Sequence, residues 1–373
     1  MIIGIEASHA NKKQRTGVEN VCFELIQNLK SIIPSEMKVI LYCNTPLQNG
    51  LENLSKNWQT KILLWPFRKL WSQIRLSLEL WRHPPDVFIA PGQLIPFFVP
   101  KNTVVIAHDS AFMVYPEAYN FWGRQYLKWM NKRIVACAVL IITPSQFSKD
   151  ELIKFYQADP NKIAVASLGY DNQLFRVLTA TEKERVPEIL KKYNISKPFL
   201  LFINRLEYKK NTKRIVEAFD ILKKDFDLQM ILVGQPGVGY DEIKLTIEHS
   251  TNKIDIRELG WVEEFDLPYL LSGARIFLAP SLYEGFGIPL LQALACGCPV
   301  VASNVTSLPE VGGEAVIYVD PERSADIARG GREILSNEQL RGMLIKKGLD
   351  LIQKFSWVKF ANVFWQEVKK LPE

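Results

Sequence analysis

Residues 281–301 read S-L-Y-E-G-F-G-I-P-L-L-Q-A-L-A-C-G-C-P-V-V. The run before them, residues 274–280 (A-R-I-F-L-A-P), reads as a short buried strand, and residues 299–302 read as another. Between the two, Pro289 suits the first position of a helix and Gly297 suits its left-handed exit. The segment Glu284-Gly285-Phe286-Gly287 then joins a strand to a helix N-terminus. Such a loop offers unpaired backbone N–H groups at the positive end of a helix dipole, and its glycines let a ligand approach the backbone closely. Glu284 adds one fixed carboxylate, and Gln292, about a turn inside the helix, inclines back toward the same end. These groups suit a ligand that is both polyhydroxylated and anionic, as a sugar nucleotide is.

The stretch resembles the nucleotide-sugar site of retaining glycosyltransferases of the GT-B fold, the family 4 or group 1 enzymes that include many mannosyltransferases. Their pattern is E-G-F-G-x-P-x-x-E-A-x-A-x-G-x-P-V-V. The resemblance implies that Glu284 and the amides of Gly285, Phe286 and Gly287 hold the donor sugar. The family's second Glu, which holds the ribose hydroxyls, is replaced here by Gln292. An amide accepts from one hydroxyl and donates to another, but it lacks the charge and the second acceptor oxygen.

Composition bounds the rest. The chain has 373 residues, 47% hydrophobic and 23% charged, which suits two globular domains. Five cysteines at irregular spacing point to a reducing compartment rather than a disulfide framework. The isolated pair Cys296 and Cys298 lacks partners at zinc spacing, so no metal site is expected. No apolar run reaches the ~20 residues of a membrane span, and the opening M-I-I-G-I reads as a strand rather than a signal peptide. A cytoplasmic location is expected. The formal charge is +6, and the whole excess falls within residues 1–172. That asymmetry suggests an anionic partner for one half only, and nucleic acid is not among the partners expected.

In chain order, residues 2–7 form a first strand and residues 17–29 an amphipathic helix, with Val18, Val21, Cys22, Leu25, Ile26 and Leu29 on one face. The intervening loop, Arg15-Thr16-Gly17-Val18-Glu19, resembles family loops that approach the donor phosphates and the acceptor, which makes Gly17 a donor-site candidate. Residues 61–83 alternate Lys61, Arg68, Lys69, Arg75 and Arg82 with Trp65, Phe67, Trp71, Trp81 and leucines. As an amphipathic helix this segment is either an interfacial element or a core helix with basic flanks. The strand at residues 103–107 delivers His108-Asp109 to a carboxyl edge, where parallel sheets bind ligands. The resemblance implies that these two lie by the reaction centre.

Residues 173–196 read as an interdomain linker with a short helix. A second sheet starts at residues 198–203 and runs into N-R-L-E-Y-K-K-N. The family's G-R-x-x-x-x-K-N implies that Arg205 and Lys210 hold the donor diphosphate, whose leaving charge fixed cations stabilise; Asn204 replaces the usual Gly. The backbone at Trp261 and Val262 is implied to hold the base. Asp225-Phe226-Asp227 matches a D-x-D metal motif, but its place in a helix-to-strand turn makes it a decoy. Residues 307–313 and 315–319 are expected to complete the sheet.

Alternating strands and helices predict an α/β protein with two doubly wound, Rossmann-like parallel sheets facing across a cleft. The boundaries expected are an acceptor-binding domain over 1–172, the linker 173–196, a nucleotide-sugar-binding domain over 197–355, and a helix at 356–373 packing back on the first domain. The resemblance implies a retaining, metal-independent hexosyltransferase of cell-surface polysaccharide synthesis, with GDP-mannose or a UDP-hexose as donor. The acceptor would be a glycan or lipid-linked glycan. No cofactor is implied, since the nucleotide sugar is a co-substrate. Peripheral contact with an anionic membrane, at the inner face of the plasma membrane, is the further partner expected. A GT-B sugar-nucleotide epimerase and a catalytically silent scaffold subunit are the alternatives.

Overall fold

Runs such as VFIA and LIIT carry no polar alternation, so they make strands buried on both faces, the condition of parallel sheets covered by helices. The computed structural model describes residues 1–15, 17–67 and 70–371; Thr16, Arg68 and Lys69 therefore lie outside the described residues. Every strand pairing in it is parallel.

The chain divides into two units. The first comprises Met1–Val114, Asn120–Gly169 and Ser356–Glu373; the second comprises Tyr115–Tyr119 and Tyr170–Phe355. The first holds β1 (Ile2–Glu6), β2 (Lys38–Cys43), β3 (Trp58–Ile62), β4 (Val87–Ala90), β5 (Thr103–Ile106), β6 (Leu140–Thr143) and β7 (Ile163–Val165). Their order is β3-β2-β1-β4-β5-β6-β7. The second holds β8 (Phe199–Ile203), β9 (Gln229–Val233), β10 (Ile256–Gly260), β11 (Ile276–Ala279), β12 (Val300–Ser303) and β13 (Val316–Val319), in the order β10-β9-β8-β11-β12-β13. In each sheet the chain winds outward one way, returns, and winds outward the other way. The reversal falls between β1 and β4 in the first sheet and between β8 and β11 in the second, which makes these the switch points where doubly wound sheets open a crevice.

Two sequence expectations need correction. Residues 61–83 are not one helix: β3 extends to Ile62, and Leu70 takes a left-handed conformation with φ 66°. The chain then forms a π-helical turn, Trp71–Leu76, and a short α-helix, Ser77–Arg82. Leu70 breaks the helix because left-handed backbone cannot continue a right-handed turn. Residues 307–313 are not sheet; Leu308–Gly312 is a helix with Pro309 in its first turn, where a missing N–H costs nothing. The segment 173–196 carries two short helices, Ala180–Lys183 and Val186–Lys192, and groups with the second unit.

The helix Trp357–Val368 packs on the helix Gly17–Ile32, burying Trp357, Phe360, Phe364 and Trp365. The polypeptide crosses itself tightly here. A Cβ at Gly169 would lie 2.1 Å from the backbone nitrogen of Trp357, and no rotamer change relieves a clash with backbone. Gly169→Ala should therefore cost about 1–3 kcal/mol in urea unfolding. The exposed helical Gly342, whose Cβ would meet nothing within 4 Å, should give the opposite sign as Gly342→Ala, by about 0.5–1 kcal/mol. Equal stability of the two variants would contradict the packing.

Candidate active site

The second unit's switch point gathers most of the expected donor-site residues. From β8 come Asn204 and Arg205, then a 3-10 turn, Tyr208–Lys210; from β11 come Ser281 and Glu284. The helix Ile288–Ala295 starts beside them, capped by Gly287 at φ 104° and left through Gly297 at φ 71°. Gly287 is constrained twice over, since a Cβ would also sit 2.7 Å from Leu308. A pocket lies at this edge, lined by Asn204, Ser281, Glu284, Gly287, Pro289 and Leu308 among others.

Its chemistry centres on one ion pair. Lys210 Nζ lies 2.6 Å from Glu284 Oε2, with both side chains nearly buried. The other oxygen, Oε1, accepts from Ser281 Oγ at 3.0 Å and Asn204 Nδ2 at 3.3 Å. Asn204, which stands where the family has glycine, thus becomes a donor to the Glu284 carboxylate. The loop is held from below. Ser307 Oγ donates to the carbonyls of Glu284 and Phe286 at 2.9 and 3.0 Å, and Ser303 Oγ donates to that of Ser281 at 2.7 Å. Asn211, at φ 63°, clips the Lys210 turn in place by donating to the carbonyls of Pro280 and Pro321.

Other candidates occupy the same unit in different states. Arg205 is exposed, with no side-chain partner among the described residues. Gln292 is half-buried with its amide likewise unpartnered among them. Trp261 is exposed and Val262 buried, directly after Gly260, whose carbonyl accepts from Gly234 N. Thr306 was not singled out from sequence. It holds φ 63°, rare for a β-branched residue, and its buried hydroxyl has no partner among the described residues. Asp225 and Asp227 of the D-x-D pattern are engaged by Arg332 and by Lys197 and Lys223. Among the described residues no group of three or more His, Cys, Asp or Glu is arranged to hold a metal.

His108, Asp109 and Gly17 belong to the first unit, as does a second polar cluster that sequence reasoning missed. Glu6, buried at the end of β1, accepts from Ser8 N at 2.8 Å, from Ser8 Oγ, and from His9 Nδ1 at 2.7 Å. The His9 ring lies against Gly92 in the loop after β4, where a Cβ would come within 2.8 Å of it. Gln93, at φ 59°, reaches the next strand: its Oε1 accepts from His108 N at 2.8 Å and its Nε2 donates to Asp109 O at 2.9 Å. His108 is buried, with Nε2 donating to Pro91 O at 2.7 Å. Gly17 opens the helix Gly17–Ile32 in empty surroundings, so sterics do not demand glycine there.

Electrostatics separates the two histidines. Burial holds the His108 pKa below the ordinary range despite its bond to Pro91 O, so the ring is neutral. The Glu6 carboxylate raises the His9 pKa against the opposing effect of burial. Burial alone would push Glu6 upward, but the His9 charge and the bonds from His9 and Ser8 outweigh it and hold Glu6 low. The stabilisation from this pair is complete between the ordinary carboxylate value of 4.5 and the ordinary histidine value of 6.5. It is lost as pH rises through the raised His9 pKa, and lost again as pH falls through the lowered Glu6 pKa. NMR titration should place His9 above 6.5, and Glu6→Gln should return it to that value or below. A wild-type His9 titrating at the ordinary value would refute an ionised pair.

Comparison with known proteins agrees with this fold. The family model described as "Glycosyl transferases group 1" matches residues 185–350, and "Glycosyltransferase Family 4" matches residues 15–174. The chain is 32% identical over 301 residues to the O-antigen chain mannosyltransferase B of Escherichia coli, covering 79% of this chain and 75% of that protein. Among solved structures it resembles sucrose-phosphate synthase from Thermosynechococcus elongatus, with TM-score 0.77 and 18% identity over 99% of this chain and 98% of the other. It also resembles Anabaena Alr3699/HepE in complex with UDP-glucose, with TM-score 0.76 and 16% identity over 99% of both chains. Two wholly parallel, doubly wound sheets, family matches within both units and a 32% identical relative lead to one conclusion: this chain belongs to the family 4, group 1 glycosyltransferases of the GT-B fold.

Proposed function

We propose that this protein is a retaining hexosyltransferase that moves mannose from GDP-mannose, or a hexose from a UDP-hexose, to a glycan or lipid-linked glycan in cell-surface polysaccharide synthesis. The observation that carries the reading is the Lys210–Glu284 pair at the β8/β11 switch point, beside a glycine-capped helix N-terminus. It sets an ammonium next to a carboxylate, as a donor with a diphosphate next to a polyol requires. The relative named as an O-antigen chain mannosyltransferase supports the choice of sugar and of product class.

Lys210 and Arg205 take the diphosphate, and Glu284 with the Gly285, Phe286 and Gly287 amides takes the sugar hydroxyls. Gln292 takes the ribose, and the backbone at Trp261 and Val262 takes the base. The seven-stranded unit takes the acceptor through His108 and Asp109. The bond between the anomeric carbon and the phosphate oxygen breaks, and the acceptor oxygen bonds to the same face of that carbon. The acceptor's proton passes to the departing phosphate. The cations stabilise the charge left on the diphosphate, so neither a metal nor a cofactor is needed. Five free cysteines suit the cytoplasm as the place of action.

Thermal unfolding with GDP-, UDP-, ADP- and CMP-sugars, followed by turnover assays in EDTA, tests this. A donor at about 100 times its Kd should stabilise the fold by ~2.7 kcal/mol. Turnover should survive EDTA; loss restored by Mg²⁺ would overturn the metal-free route. Conversion of a donor without acceptor would instead indicate an epimerase, and no binding at all a silent subunit.

Lys210→Ala and Arg205→Ala should each lower kcat/KM by about 2–5 kcal/mol of transition-state stabilisation. Gln292→Glu should leave donor affinity equal or better. Near-native turnover in either cation variant would misplace the diphosphate, and a large loss in Gln292→Glu would mean that the neutral amide serves a different donor group.

A further inference from the structure

A short piece of the first half of the chain belongs with the six-stranded unit. Tyr115–Tyr119 group with that unit, while the chain on either side, Met1–Val114 and Asn120–Gly169, belongs to the first. The sequence sets this departure. Pro116 disfavours helical backbone at the residue before it, and Tyr115 takes φ −118° and ψ 71°, which ends the helix Ala111–Val114. Pro116 then opens a 3-10 turn, Pro116–Ala118.

The Tyr115 side chain meets the two loops that carry the ion pair of the candidate site. Its ring packs edge to face on Tyr208, two residues before Lys210, with the ring centres 6.1 Å apart. It packs in the same way on Tyr283, the residue before Glu284, again at 6.1 Å. The Tyr115 hydroxyl donates to Leu282 O at 3.3 Å, and Leu282 N donates in turn to Lys209 O at 2.9 Å. A path of hydrogen bonds therefore runs from this one side chain to the residue beside Lys210. Burial, and then the Glu322 carboxylate, raise the Tyr115 pKa, so the hydroxyl keeps its proton and remains a donor.

The other supports act differently. Ser303 and Ser307 hold the Glu284 loop alone, and Asn211 joins the Lys210 turn to that loop at Pro280, ahead of the glutamate. Tyr115 touches both loops next to the charged residues themselves. Its contacts thus bear on the distance between the ammonium and the carboxylate.

We propose that Tyr115 is a positioning residue for the donor, setting the Lys210 turn and the Glu284 loop at the separation that one sugar diphosphate spans. The inference rests on the donor reading given above. In that reading a nucleoside diphosphate engages Lys210 and Arg205, whereas a nucleotide sugar engages Glu284 as well. Loss of Tyr115 should therefore affect the second ligand far more than the first.

Calorimetric titration of the full chain with GDP, GDP-mannose, UDP and UDP-glucose tests this, for wild type, Tyr115→Phe and Tyr115→Ala. Each nucleotide sugar is compared with its own diphosphate. Tyr115→Ala should weaken binding of the sugar form about tenfold or more and of the diphosphate less than about threefold, because small misplacements are costly at a site with two fixed points. Tyr115→Phe keeps both ring contacts and loses only the long hydrogen bond to Leu282, so it should recover most of the loss. Melting temperatures check that each variant is folded. Should Tyr115→Ala unfold, Tyr115→Leu, which fills the space without ring or hydroxyl, carries the same comparison. Equal weakening of both ligand forms, or wild-type affinity for both in a folded variant, would overturn the positioning role and leave the donor reading intact. A wild-type protein that binds none of the four ligands would overturn the donor reading, and this inference with it.

Discussion

A parallel sheet wound in two directions cannot close the gap where its winding reverses, because the connections on either side leave toward opposite faces. Each unit of this protein places a cluster of hydrogen-bonded polar side chains at that gap. In the second unit, β8 and β11 deliver Asn204, Lys210 and Glu284 to one edge. In the first, β1 and β4 deliver Glu6, His9 and Gly92, and Gln93 extends the cluster to His108, just after β5. Supporting side chains then fix the geometry. Ser307, Ser303 and Asn211 each donate a hydrogen bond to a loop carbonyl, which fixes the loops in place.

The two gaps are neutralised in different ways. Lys210 and Glu284 hold each other, and in the function proposed above a diphosphate bearing a sugar replaces each partner for the other. Glu6 is enclosed and satisfied within its own turn by Ser8 and His9. One pair is thus exchangeable, whereas the other fixes a charge. His108, distant from Glu6 and His9 in sequence but close to His9 in the fold, stays neutral because burial outweighs the opposing effect of its Nε2–H bond to Pro91.

Much of the second unit was legible in the sequence because its signals are local. Gly287, Pro289 and Gly297 specify a turn, a helix start and a helix exit without reference to any distant residue, and the structure has all three. The pairing of Lys210 with Glu284 was not legible, since it depends on β8 and β11 being neighbours. The same holds for Glu6 and His9: a carboxylate and an imidazole three residues apart resemble a solvated loop until Gly92 is brought against them. The 61–83 segment misled because its hydrophobic spacing is helical, while the left-handed backbone at Leu70 interrupts it. Residues 307–313 misled because their valine and glycines resemble a strand end, whereas Pro309 marks a helix start.

The chain leaves the first unit at Gly169, builds the second, and returns through Ser356 to supply the first unit's last helix. Synthesis proceeds in one direction, so the strands of the seven-stranded sheet leave the ribosome well before Trp357, Phe360, Phe364 and Trp365 exist to cover the helix Gly17–Ile32. The second unit, being almost continuous in sequence, can finish first. Until then the older unit carries an uncovered apolar flank, the kind of transient surface that chaperones bind. The unit whose sheet is made first is thus the one whose last element is made at the very end.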